Sequence, residues 1–202
     1  MGITRQVEEY EKSVLDFLEW EYKGLKWCEF GNQMSHKKMV AKKVYESYGV
    51  QHISMDLNGR GGALPIDLGQ PVSHAFVDQF NVVTNYGTIE HINNQFQAFK
   101  NMHDMCKEDG IIIHTFPLVG NWPGHCRYYY SENFARELAS VCNYHVVNHT
   151  ILVYKAHKDL LAITYIKEKN SRFVNREKFG RIGGIKDTGN LSHTGDYTSE
   201  AK

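Results

Sequence analysis

The stretch Asn81–Pro117, NVVTNYGTIEHINNQFQAFKNMHDMCKEDGIIIHTFP, holds one complete unit of an open α/β sheet. A short apolar run, Gln79–Thr84, has the length and β-branched content of a buried strand. A polar loop follows, then the helical pattern Asn93–Cys106, a Lys-Glu-Asp-Gly turn, and a second buried strand, Gly110–Phe116. The polar residues Asn85, Tyr86, Glu90 and His91 collect at the carboxyl end of the first strand. In open α/β sheets that end carries the ligand.

The same alternation extends in both directions. Upstream, Leu25–Phe30 and Val50–Leu57 read as strands, and HKKMVAKKVYESYG between them reads as a helix capped by Ser35 and stopped by Gly49. Ala63–Leu68 is a short strand or turn. Residues 4–23 place Val7, Tyr10, Val14, Phe17 and Leu18 at helical spacing, which predicts an amphipathic helix ended by Gly24. Downstream, Ser131 caps a helix through Val141, and Tyr144–Tyr154 and Leu160–Lys167 read as two strands joined by the turn KAHKD. The fold class is therefore α/β, a Rossmann-like doubly wound, mostly parallel sheet with an antiparallel C-terminal edge hairpin. Three parts are expected: a packing or covering helix over 1–24, the main domain over 25–170, and a polar, Gly-containing tail over 171–202. The tail has few apolar residues, so it is expected to add no core and to need no order of its own.

Composition narrows the function. With 202 residues the chain can build one core, and 23 basic against 23 acidic residues leave it without net charge. No basic stripe points to nucleic acid, and no apolar run reaches the ~20 residues of a membrane span. The charged N-terminus is unlike a secretory signal. The four cysteines stand far apart with no Cys-x-x-Cys pair, which fits reduced thiols in a cytoplasmic protein. A small-molecule partner is expected, and a homo-oligomer is left open.

Several strand-end residues carry ligand chemistry. Glu29-Phe30-Gly31-Asn32 closes the first strand with an acid and a glycine that lets a ligand approach the backbone. Asp56-Leu57 ends the second strand, about 25 residues after the glycine turn, where a carboxylate can hold ribose hydroxyls. Asp67-Leu68 sets an acid among apolar side chains, as an adenine pocket requires. Asn85 and Tyr86 end the next strand.

Together these residues make Leu25–Lys167 resemble the class I, Rossmann-like S-adenosylmethionine-dependent methyltransferase family. Glu29-Phe30-Gly31-Asn32 stands at the family's glycine-rich turn, Asp56 at its ribose-binding acid, and Asp67-Leu68 beside its adenine. Asn85 and Tyr86 stand at the position that faces the cofactor. Lys107-Glu108-Asp109-Gly110 resembles its Lys-Pro-Gly-Gly turn. The resemblance implies S-adenosylmethionine as cofactor and methyl transfer to an oxygen or nitrogen of a small molecule of sugar or polar-metabolite type. His125, His91 and His114, in that order, are the candidates for a base near neutral pH. Glu90-His91 also resembles part of the Glu-x-x-Glu-His arrangement of some metal-dependent members. Gly87 stands where that arrangement has its first carboxylate, so no metal is expected. Gln33 replaces the second glycine of the turn, which keeps a non-catalytic binding protein as the alternative. A nicotinamide-dependent oxidoreductase is a weaker one, because Gly-x-Gly-x-x-Gly is absent.

Overall fold

The computed structural model describes residues 2–154 and 156–190. In chain order the elements are α1 (Arg5–Phe17), β1 (Lys26–Phe30), α2 (Ala41–Ser47), β2 (Gln51–Asp56), β3 (Leu64–Pro65) and β4 (Phe80–Tyr86). There follow α3 (Gln95–Met105), β5 (Cys106–Pro117), β6 (Tyr128–Tyr130), α4 (Glu132–Cys142), β7 (His145–Leu152), β8 (Leu160–Ile166), α5 (Arg176–Gly180) and β9 (Ile185–Asp187). The main sheet has seven strands in the order β3-β2-β1-β4-β5-β8-β7. β3, β2, β1, β4 and β5 pair in parallel, while β8 runs antiparallel to both β5 and β7. The expected C-terminal hairpin is present, with β8 on the inside and β7 at the edge. β6 and β9 form a separate antiparallel pair.

The pleat sorts side chains between two layers. Cys28 and Phe30, Val83, and Ile112 and Phe116 face α3, α4 and α5. Trp27, Val82, Tyr86, Ile111 and Ile113 face α1 and α2. Both faces of the parallel strands are covered, which explains their near-continuous apolar runs.

Helix α1 is shorter than the pattern over 4–23 implied, and its buried stripe is Val7, Tyr10, Glu11, Val14 and Leu15. Phe17 is 72% exposed, whereas Glu11 is 2% exposed. Glu11 takes an apolar position because three phenols converge on it. Its Oε1 accepts from Tyr22 at 2.9 Å, and its Oε2 accepts from Tyr45 and Tyr86, each at 2.6 Å. These bonds tie α1 to α2, to β4 and to the segment after α1.

Helix α2 begins at Ala41 rather than after Ser35. Residues 34–40 instead form a tight turn, closed by a bridge between Met34 and Val40 and by Lys38 at φ 60°. Ser35 pairs with Ile3, and its Oγ accepts from Met39 N. The N-terminal segment thus uses the backbone that a longer helix would have consumed.

The tail differs from expectation over 171–190. α5 and β9 are regular, and Phe179 and Ile182 are buried in the core. Phe179 meets Phe96, Phe99, Phe134 and Phe173, and Arg127 holds Asp187 with two hydrogen bonds of 2.9 and 2.8 Å. Few apolar residues suffice here because each is aromatic or branched and meets an aromatic cluster already in place. The remainder of the predicted tail, 191–202, lies outside the described residues.

Two measurements follow from this packing. Phe179→Ala should lower unfolding free energy by about 3 kcal/mol; a loss below ~0.5 kcal/mol would mean that the tail does not pack. Burial pushes the Glu11 carboxyl from its ordinary 4.5 up to about 7, against the pull of the three phenols. Between those values the folded chain holds a proton that the unfolded chain has released. Stability from this group therefore falls as pH rises through the window and is level above it. His52, His103 and His114, held near 3 by burial, act oppositely and lose stability as pH drops below the ordinary histidine value. The Glu11 effect is isolated by comparing wild type with Glu11→Gln in urea titrations at ~pH 4.5 and ~pH 8. The wild-type advantage should shrink by roughly 2–3 kcal/mol at the higher pH. A constant difference would show Glu11 to be ionised in the folded chain.

Candidate functional site

A cavity of about 450 Å³ opens at the carboxyl ends of β1, β2 and β4. β1 and β4 are neighbours in the sheet although β2 and β3 intervene in sequence, so the strand order reverses between them. Loops leaving adjacent strands there diverge and leave a crevice. Asn32, Asp56, Leu57, Asp67 and Leu68 all line it. These are five of the ten residues expected to meet the cofactor.

Asp56 organises the wall. Its Oδ2 accepts from Asn32 N at 2.9 Å, and its Oδ1 accepts from Asn58 N at 3.1 Å. One carboxylate thus holds the loops after β1 and β2 together at the rim. Asn32 Nδ2 donates to Arg60 O at 2.8 Å, which brings the next turn against the same loop. Asp67, an exposed residue, closes a local turn: its Oδ1 accepts from Gly69 N at 2.8 Å. Leu68 is buried, and Asn101 Nδ2 donates to the carbonyls of Leu68 and Gln70 at 2.9 and 2.8 Å. That wall is therefore anchored to α3.

Glu29, Phe30, Gly31, Asn85 and Tyr86 lie behind the cavity surface rather than on it. Phe30 packs in the α3-side core. Glu29 faces the other layer, fully buried; desolvation holds its carboxyl well above the usual carboxylate range, and its Oε2 accepts from Gln33 N at 3.4 Å. Asn85 Oδ1 accepts from Thr88 N at 3.0 Å and Ile89 N at 2.9 Å, capping the turn Ile89–His91. Tyr86 differs from Asn85 by one step of the pleat and points to Glu11 instead. The expectation that Asn85 and Tyr86 face the cofactor is thus corrected by strand parity: one supports the loop, the other the helix layer.

The glycine turn is closed by two side chains. Gln33 is buried, not turned outward, and its Nε2 donates to Thr88 Oγ1 at 3.0 Å. Thr88 Oγ1 donates to Phe30 O at 2.8 Å. Gly31, at φ 85°, leaves so little room that a Cβ there would stand 2.2 Å from Thr88 Oγ1. Gln33 and Thr88 both line the cavity and bridge the loops after β1 and β4. Thr88 lay within the quoted stretch, but nothing in its sequence setting marked it out. Its role comes from the β1–β4 adjacency.

The three histidines part ways. His114 is buried among Phe99, Phe116 and Tyr165, and burial holds its imidazole near 3, so it is a neutral core residue and not a base at the site. His91 lines the cavity. His125 arrives from the loop after β5 and meets His91 edge to face, with ring centroids 5.2 Å apart. That loop is held by Trp122 N and Nε1, which donate to His157 O and Asp159 O, and by the Tyr129 hydroxyl, which donates to Trp122 O at 2.7 Å. Tyr128, Tyr129 and Tyr130 are buried in β6 and serve packing and loop anchoring. Glu90 is fully buried beside His91 and His125, and burial pushes its carboxyl up to about 7.

No protein-family model and no curated protein matches the sequence. Solved structures do match in three dimensions. The chain is similar to 1,6-didemethyltoxoflavin-N1-methyltransferase of Burkholderia thailandensis, bound to 1,6-didemethyltoxoflavin and S-adenosylhomocysteine, with TM-score 0.61 and 12% identity over 82% of this chain and 79% of that one. It is similar to the N-methyltransferase NodS of Bradyrhizobium japonicum WM9 in complex with S-adenosylhomocysteine, at TM-score 0.52 and 12% identity over 81% and 88%. A SAM-dependent methyltransferase of Archaeoglobus fulgidus aligns at TM-score 0.55 and 11% identity over 79% and 94%. At such identity the likeness is one of fold. The chain therefore has the fold of the class I, Rossmann-like S-adenosylmethionine-dependent methyltransferases.

Proposed function

We propose that this chain is an S-adenosylmethionine-dependent methyltransferase acting on an oxygen or nitrogen of a small polar acceptor, of sugar or polar-metabolite type. The observation that carries the reading is a single cavity lined by both Asp56 and His91. Asp56 ends β2 and His91 follows β4, the two neighbours of β1, so they are offset by roughly 10 Å from strand spacing alone. An adenosyl ligand laid across β1 would set its ribose hydroxyls at Asp56 and its adenine at Asp67 and Leu68. Its sulfonium would lie toward His91 and His125. The neighbouring structures support this reading: two of them hold S-adenosylhomocysteine.

The chemistry asks little of the protein beyond alignment. The acceptor lone pair attacks the methyl carbon, the carbon–sulfur bond breaks, and its electron pair returns to sulfur as a neutral thioether. The acceptor proton must leave, and an imidazole at His125 or His91 is placed to take it. His114 has no part in the transfer.

Gln33 and Thr88 favour a second reading, a binding protein without turnover. Their bridge stands where the resemblance to the family puts the methionine end of the cofactor. An adenosyl ligand must displace the Gln33 amide or accept a hydrogen bond from it.

Calorimetric titration with S-adenosylmethionine and S-adenosylhomocysteine, with NAD as control, tests the first reading. Binding on the order of −8 kcal/mol is expected for both adenosyl ligands. Asp56→Ala should weaken it about tenfold or more, a loss of ~1.4 kcal/mol. Absence of binding to either adenosyl ligand, or equal binding of NAD, would overturn the proposal. Gln33→Gly shows how the amide acts on the cofactor. If the amide obstructs the cofactor, the variant binds S-adenosylhomocysteine about tenfold more tightly than wild type; if the amide is itself a ligand, the variant binds more weakly.

A further inference from the structure

We propose that Glu90, His91 and His125 form a binding site for one divalent first-row transition-metal ion at the acceptor end of the cavity. One ligand atom from each lies within 4.8 Å of the other two. Glu90 and His91 come from the Ile89–His91 turn after β4, and His125 comes from the loop after β5. Residues adjacent in sequence cannot both reach one point unless the turn is tight, and Asn85 enforces that by capping it. The loop bearing His125 is pinned independently through Trp122 and Tyr129. Three donors are thus converged by two rigid supports, as a pre-organised site requires.

The second observation concerns Glu90 alone. It is 0% exposed, and among the described residues neither carboxylate oxygen receives a hydrogen bond from another residue. A buried polar group with no donor is destabilising, and an ionised one severely so, unless a cation meets it. Packing does not explain an acid here, since an apolar side chain of the same size would be cheaper to bury. A metal cation between Glu90 and the two imidazoles would give the carboxylate oxygens the direct partner that they lack among the described residues.

The donor set selects the ion. One carboxylate oxygen and two imidazole nitrogens suit zinc, iron, manganese or cobalt, whereas magnesium and calcium prefer all-oxygen shells. Ligand atoms on a tetrahedral ion with bonds of ~2.05 Å stand roughly 3.3 Å apart, so small rotamer shifts complete the shell. Three protein ligands leave a position open. His91 faces the cavity, so the open position does too. Resting on the proposed methyl transfer, that position would take the acceptor hydroxyl or amine. The ion would lower the acceptor's pKa, its proton would pass to solvent, and the freed lone pair would attack the methyl carbon. The two imidazoles would then serve as ligands and not as the base.

Gly87 in place of an upstream carboxylate argued against a metal from sequence. His125 supplies the missing donor from 34 positions further on, which no local motif shows.

The test is calorimetric titration of the chelator-treated full chain with Zn²⁺ and Mn²⁺, with Mg²⁺ as control, and absorption spectroscopy of the Co²⁺-loaded protein. One equivalent of Zn²⁺ at micromolar affinity or tighter is expected, with visible Co²⁺ bands of a four- or five-coordinate ion. Glu90→Gln and His125→Ala should each weaken binding about tenfold or more, while the exposed His145→Ala leaves it unchanged. Absence of stoichiometric binding by wild type would overturn the site. So would affinity and Co²⁺ spectra that both ligand variants leave intact, since others of the eleven histidines would then be responsible. S-adenosylhomocysteine titrated in parallel keeps the conclusions separate. Metal binding without it would retain the site and remove its role in methyl transfer, and the reverse would retain only the transfer.

Discussion

The pleat of the parallel strands, combined with the adjacency of β1 and β4, is the constraint on which everything else depends. Because side chains alternate, residues near each strand end go in turn to the α3 layer and to the α1 layer, and the last strand residue or the loop beyond reaches the cavity. Phe30 and Asn85 go one way, while Glu29 and Tyr86 go the other. Asn32, Asp56 and Thr88, which lie at or past the strand ends, reach the cavity. The cavity lining therefore belongs mostly to the loops, and the strands supply its spacing.

Those loops are held by side chains rather than by regular structure. Asp56 spends both oxygens on backbone N–H groups of two different loops, and Gln33 and Thr88 join the loops on either side of the crevice. A ligand with hydroxyls can replace the Asn32 and Asn58 donors on Asp56 with comparable hydrogen bonds, so the carboxylate is kept in position without being sealed off. The Gln33–Thr88 bridge differs, since it closes the turn at Gly31 against Phe30. The two ends of one cavity thus carry opposite preparations, one open-handed and one closed.

Burial of acids marks the far side of the sheet. Glu11 and Glu29 both lie in or beside the α1 layer, each with its carboxyl raised by desolvation. Glu11 is supported by three phenols and so serves as a structural knot between α1, α2 and β4. Among the described residues none donates to the Glu90 carboxylate, although it is as deeply buried. The same residue type at the same depth is thus hydrogen-bonded by three phenols in one place and by no other described residue in the other.

The sequence by itself determined the alternation of strands and helices, the parallel sheet with its C-terminal hairpin, and the strand-end positions of Asp56, Asp67 and His91. These follow from local periodicity, β-branched runs and turn residues, all short-range properties of the chain. Only the tertiary structure decided that Glu11 replaces an apolar residue in the α1 stripe, that α2 starts at Ala41, that residues 171–190 complete the core, and that His114 is core while His125 stands beside Glu90 and His91. Each of those outcomes depends on a partner far away in sequence: three tyrosines for Glu11, Ile3 for the turn before α2, the α3–α4 aromatics for Phe179, and the β4–β5 pairing for His125. Hydrophobic pattern specifies which face of an element is buried, but not which distant group will meet it, because that is set by strand order and register.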